Sequence, residues 1–188
     1  MAREIEERIA SEDWVGARSL IRAELRRDPD SHWLLSRLAL TYDEQRRYQV
    51  ALNWARKALD RAPRCPLVLW DYAGTLDQLG HHREAVRGYS QLVRRGVNAI
   101  AYGPCGEGLR WARSLVADAL FRRALAYAAL GDRSRARRSL ERHLEFRREG
   151  AKSIYPLREV RIDAHAIGPA LRSVRSDRLS RSSSLTNR

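Results

Sequence analysis

Lysine is almost missing from this 188-residue chain: only Lys57 and Lys152 occur among 36 basic residues, which leaves 34 arginines (36 − 2). Cysteine (2), phenylalanine (2) and methionine (1) are equally scarce. Cys65 and Cys105 stand far apart and neither belongs to a Cys-x-x-Cys pair. Their spacing suggests neither a disulfide framework nor a zinc site, and two unpaired thiols in a reducing compartment are expected. No run approaches the ~18 consecutive apolar residues of a membrane-spanning helix. The opening MAREIEERIA is charged where a secretory leader needs an apolar core. A cytoplasmic protein without membrane association is therefore expected. Acidic residues are in deficit as well, 23 against 36 basic ones, for a net charge of +13. Clustered arginine releases counterions from nucleic-acid phosphate, yet an arginine bias of this kind follows equally from genome base composition.

What the chain has instead is a period. Ala17, Ala51 and Ala85 are spaced by 34 residues (51 − 17 and 85 − 51), and their surroundings repeat with them. One copy runs Leu35, Leu38, Ala39, Tyr42, then Tyr48, Ala51, Ala55, Ala58 and Pro63; the next runs Leu69, Tyr72, Ala73, Leu76, then His82, Ala85, Tyr89, Leu92 and Val97. A last copy carries Leu120, Arg123, Ala124, Tyr127, Gly131, Ala136, Leu140 and His143, displaced by 51, or 34 plus an insertion of 17. The first copy is partial, with Trp14, Ala17, Ile21 and Pro29. Small residues at fixed places let two helix backbones approach, while Leu and Tyr fill the space between helix pairs. One such pair cannot bury its apolar face alone, whereas three or more stacked pairs can.

This periodic set resembles the tetratricopeptide repeat family. The resemblance implies an all-α, right-handed superhelical array of antiparallel helix pairs, about four repeats with an insertion before the last. Repeats are expected near 1–30, 31–65, 66–97 and 117–150, together a domain of residues 1–150 with the insertion at 98–116. Arg123 departs from the pattern where an apolar residue is expected, as do Val97 and Arg148 where the closing proline is missing.

Turn and cap residues place helices near 3–10, 13–27, 31–45, 48–61, 66–79, 82–95, 107–130 and 133–148. Asp28-Pro29-Asp30-Ser31 stops one helix and caps the next, Pro66 suits a first helical turn, and Gly80 and Gly131 mark tight turns. Gly103-Pro104-Cys105-Gly106 breaks helix, but Leu109, Trp111, Ala112, Leu115 and Val116 continue at helical spacing into the last repeat. Its first helix should therefore be about two turns longer than its siblings and project far enough to cover one end of the groove. Residues 151–172 are expected to cap the array, and the Ser/Arg-rich residues 173–188 to form a disordered tail.

The family resemblance also implies that first helices line a concave groove that holds a peptide or partner helix. The inward residues are then Trp33, Leu40, Asp43, Leu67, Trp70, Asp77, Asp118, Phe121 and Leu125, with Ser36 and Asp71 beside them. Apolar side chains gathered in a groove mark an interaction site, and the acids suggest a ligand with apolar anchors and some positive charge. A clamp for partner C-terminal carboxylates is disfavoured, because only Arg122 offers a suitable cation there. The expectation is a protein-interaction module or adaptor; the alternative is an Arg-rich nucleic-acid-binding protein using Arg83, Arg87, Arg94, Arg95, Arg133, Arg135, Arg137, Arg138 and Arg142 on the opposite, convex side together with the tail arginines Arg172, Arg175, Arg178, Arg181 and Arg188. Catalytic signals are weak. The glycines around Cys105 lack a preceding strand and a nucleotide fingerprint, and His81, His82 or His143 would activate a cysteine only if folding brought one close. No enzyme activity, cofactor or metal is expected.

Overall fold

Every regular element of the computed structural model, which describes residues 1–158 and 160, is helical. In chain order these are α1 (Ala2–Ala10), α2 (Trp14–Leu25), α3 (His32–Asp43), α4 (Tyr48–Arg61), α5 (Pro66–Gln78), α6 (His82–Arg95), α7 (Val97–Ala101), α8 (Leu109–Ala129) and α9 (Arg133–Arg148). All eight expected helices are present with ends shifted by at most two residues, and α7 is additional. Of the expected cap, residues 151–158 and 160 are described; the rest of it and the whole expected tail lie outside the described residues.

The turn within each helix pair is one motif used four times. Glu12, Arg46, Gly80 and Gly131 hold positive φ of 58°, 58°, 79° and 76°. The next amide in each case reaches back across the helix end: Asp13 to the Arg8 carbonyl, Arg47 to Tyr42, His81 to Leu76 and Asp132 to Tyr127, all at 2.9 Å. This six-to-one closure satisfies a carbonyl that the ending helix would otherwise leave unpaired. Helix starts are fixed separately. Asp13 and Asp132 each accept a bond from a backbone amide three residues on, Gly16 and Arg135, at 2.9 Å, and Pro66 opens α5 where its missing N–H costs nothing.

The repeating alanines are the contact points between helices. Ala17, Ala51, Ala73, Ala85, Ala124 and Ala136 are fully buried. At Gly88 the approach is closer still, since a Cβ there would lie 2.8 Å from that of Ala73. Around these points the core forms successive clusters, an N-terminal one including Ile5, Ile21, Leu38 and Tyr42, a central one with Leu69, Leu76, Tyr89 and Leu92, and a C-terminal one with Phe121, Leu140 and Val160.

The insertion behaves differently from expectation. Pro29 and Pro63 close the first two copies, but the equivalent place one period on is Val97. With a free N–H and no ring, Val97 begins α7 directly after Gly96 (φ 77°) ends α6. Ile100 and Ala101 of α7 are buried in the central cluster beside Leu115 and Val116. The added turns of α8 thus do not project over the groove; they pack on α6 and α7. Buried residues occur on all sides of α8, from Ala112 to Ala126, as in a helix enclosed by neighbours. The central cluster supplies a partner for those early apolar residues that the sequence alone did not reveal.

Candidate functional site

The first helices of successive pairs, α3, α5 and α8, lie next to one another and build a common face. The nine groove residues expected from sequence divide into three groups on that face. Trp33 and Leu67 are half-buried and line a cleft of about 200 Å³ together with Ser36, Arg37 and Val68, the N-terminal residue His32 of α3, the residue Cys65 before α5, and Cys105, Gly106 and Glu107 of the insertion. Trp70 is turned toward the core, its ring edge-on to Tyr89 with centroids 5.6 Å apart. Leu40 is half-buried, and Leu125 packs on the C-terminal cluster.

The acids form the second group, and each already has a partner in the chain. Asp71 accepts a short hydrogen bond from the Ser36 hydroxyl and lies 3.8 Å from Arg37, which in turn reaches Glu6 at 3.5 Å. Asp43 accepts from the Thr75 hydroxyl at 3.0 Å. Asp77 bridges His82 Nδ1 at 2.8 Å and Arg122 Nη2 at 3.0 Å. A shielded carboxylate needs such donors, so these acids knit adjacent repeats together instead of waiting for a cationic ligand. Burial nonetheless dominates over the bonds: it raises Asp43 above the ordinary carboxylate range and pushes Asp71 up to about 6.

Asp118 and Phe121, the third group, are covered by the segment that follows the last repeat. Ile154 donates its amide to Asp118 Oδ2 at 3.4 Å, and the Tyr155 ring sits 4.6 Å from that of Phe121. Arg147 donates to the Tyr155 carbonyl at 2.9 Å. One end of the groove is therefore filled from within. Ile154 and Tyr155 belong to the segment expected to cap the array; the repeat pattern did not indicate that they would lie over Asp118 and Phe121, which it had placed in the open groove.

Arg123, the misfit in the last repeat, donates to Ser139 Oγ at 2.9 Å, so a polar contact replaces the expected apolar one. His143 is fully buried and its Nδ1–H donates to the Ala117 carbonyl at 2.7 Å; burial lowers its pKa and keeps the ring neutral. Several second-helix arginines are held in local exposed pairs, Arg87 with Glu84 at 3.2 Å and Arg137 with Glu141 at 2.8 Å, of a kind worth little individually. Arg133, Arg138 and Arg142 are exposed. The loop between α7 and α8 carries Cys105, whose Sγ comes 3.3 Å from His32 Nε2.

Family models described as tetratricopeptide repeat match residues 34–65 and 118–143, the second and last helix pairs. The chain is a tetratricopeptide-repeat protein. Among solved structures, the repeat array is similar to a tetratricopeptide repeat protein from Parabacteroides merdae ATCC 43184, with 20% identity, a TM-score of 0.62, and coverage of 88% of this chain and 56% of that one. It is also similar to the MamA RS-1 ArsTM double mutant, with 13% identity, a TM-score of 0.58, and coverage of 77% and 72%. At these identities the likeness is one of fold, and the chain spans little more than half the length of the Parabacteroides protein. No curated protein matches the sequence. Within this repeat protein, no helix among the described residues is long and apolar enough to cross a membrane.

Proposed function

We propose that this tetratricopeptide-repeat protein is an interaction module that holds a peptide or partner helix along the face of α3 and α5, with Trp33, Leu40 and Leu67 as contact residues and Trp70 as support beneath them. The observation that carries this reading is the open cleft containing Trp33 and Leu67, at the end of the groove opposite the covered Phe121. Half-buried apolar side chains at the wall of a cleft offer an anchoring place that a partner can desolvate. The internally paired acids favour apolar anchoring over selection by charge.

Peptides selected from a random display library against the immobilised chain provide the test. Trp33→Ala is expected to weaken the selected peptides by about thirtyfold, the equivalent of about 2 kcal/mol for a central aromatic residue. The paired reversal Arg138→Glu with Arg142→Glu should leave binding within a few-fold. Equal affinity of wild type and Trp33→Ala removes the cleft from the interface. Loss of binding in the arginine variant, with affinity falling steeply as salt rises, assigns the site to the basic second-helix side and favours the nucleic-acid reading.

A further inference from the structure

Three soft donor groups that are remote in sequence meet at the mouth of the cleft. His32 is the first residue of α3, Cys65 immediately precedes α5, and Cys105 lies in the loop that joins α7 to α8. A ring nitrogen of His32 and the two Sγ atoms all lie within 4.8 Å of one another, with His32 Nε2 3.3 Å from Cys105 Sγ. From this convergence we propose that His32, Cys65 and Cys105 form a binding site for a zinc-class divalent cation, with the fourth coordination position facing the cleft.

The donor set and its spacing suit that ion. Two thiolates and an imidazole select thiophilic, tetrahedral metals over calcium or magnesium. With Zn–S about 2.3 Å and Zn–N about 2.0 Å, tetrahedral donors stand about 3.5–3.8 Å apart, so the three atoms need only small movements to close on an ion. The supporting backbone is suited to the task as well. Cys65 occupies the place equivalent to Ser31 one period earlier, directly before a helix start. Cys105 is presented by a left-handed residue (φ 59°) between Gly103 and Gly106, where a side chain would collide with the carbonyls of Ala99 and Ala101. Glu107 lines the same cleft beside the open position. Binding would release one proton from each thiol and take His32 as neutral imidazole, so affinity should climb with pH. The inference is independent of what the groove binds.

Cobalt(II) titration of the untagged, fully reduced chain tests it. One equivalent should produce thiolate-to-cobalt charge-transfer absorption and intense tetrahedral d–d bands, and zinc(II) should displace it. Cys105→Ser, exposed and outside the core, should keep the helical circular dichroism of the wild type, lose about half the charge-transfer intensity, and bind more weakly by more than the 10–100-fold that outer-shell changes cost. His32→Gln should keep the charge-transfer band but weaken binding and alter the d–d spectrum. Zinc should raise the thermal midpoint of the wild type and not that of Cys105→Ser. Three results overturn the proposal: cobalt binding without a charge-transfer band, equal affinity of wild type and Cys105→Ser, or a Cys65–Cys105 disulfide whose reduced form takes up no cobalt.

Discussion

At the residue scale, the four equivalent turns isolate the effect of a side chain at a left-handed position. Gly80 and Gly131 adopt it freely, whereas Glu12 and Arg46 carry a Cβ against the following carbonyl oxygen. That conformation costs a non-glycine residue about 1–2 kcal/mol, and glycine loses about 0.5–1 kcal/mol of chain entropy in exchange. Arg46 is exposed, so Arg46→Gly should stabilise the protein by about 0.5–1 kcal/mol, read as an increased urea midpoint. Asp71 offers a second residue-scale expectation with an unusual sign. Its folded pKa of about 6 exceeds the ordinary value of 3.8, so between these values the folded state binds more protons than the unfolded one. Its contribution to stability therefore falls as pH rises through this window. Asp71→Asn should flatten that part of the stability–pH curve; an unchanged slope in the variant would place the titration elsewhere.

At the element scale, the sequence was most informative where helices repeat and least where they are inserted. Ala17, Ala51 and Ala85 announce the pairs because close packing demands a small residue at the same place each time. The short α7 has no sibling with which to align, and Gly103 to Gly108 mask a five-residue helix as part of a loop. The value of Ile100 emerges only once α6 and α8 enclose it. Ile100→Ala should cost about 2–5 kcal/mol, measured by chemical denaturation, whereas an ordinary surface loop residue would change stability by less than about 0.5 kcal/mol. The candidate site follows the same rule. Trp33 and Leu67 were legible from the repeat register, and residues 151–172 as a capping segment from their apolar stretch, but the contact of Tyr155 with Phe121 was not, because a segment outside the period has no register to fix its partner. His32, Cys65 and Cys105 were illegible for the same reason: separations of 33 and 40 residues (65 − 32 and 105 − 65) carry no local ligand pattern, and only the stacking of α3 on α5 and the folding back of the insertion join them.

At the scale of the whole molecule, the array has a filled end and an open end. Ile154 and Tyr155 occupy the stretch of first-helix face that Asp118 and Phe121 would otherwise show to a partner. In the proposed binding mode, a segment extending past Trp70 meets this part of the chain itself, so long ligands compete with it and short ones do not. The competition lowers apparent affinity by the fraction of molecules in which the segment has left. Tyr155→Ala should consequently favour longer peptides while leaving the affinity of short Trp33-dependent peptides unchanged, a contrast visible in paired titrations with peptides of two lengths. Under the proposed function, Ile154 and Tyr155 act as a ruler: they set how many residues of a partner the groove reads before the protein begins to read its own.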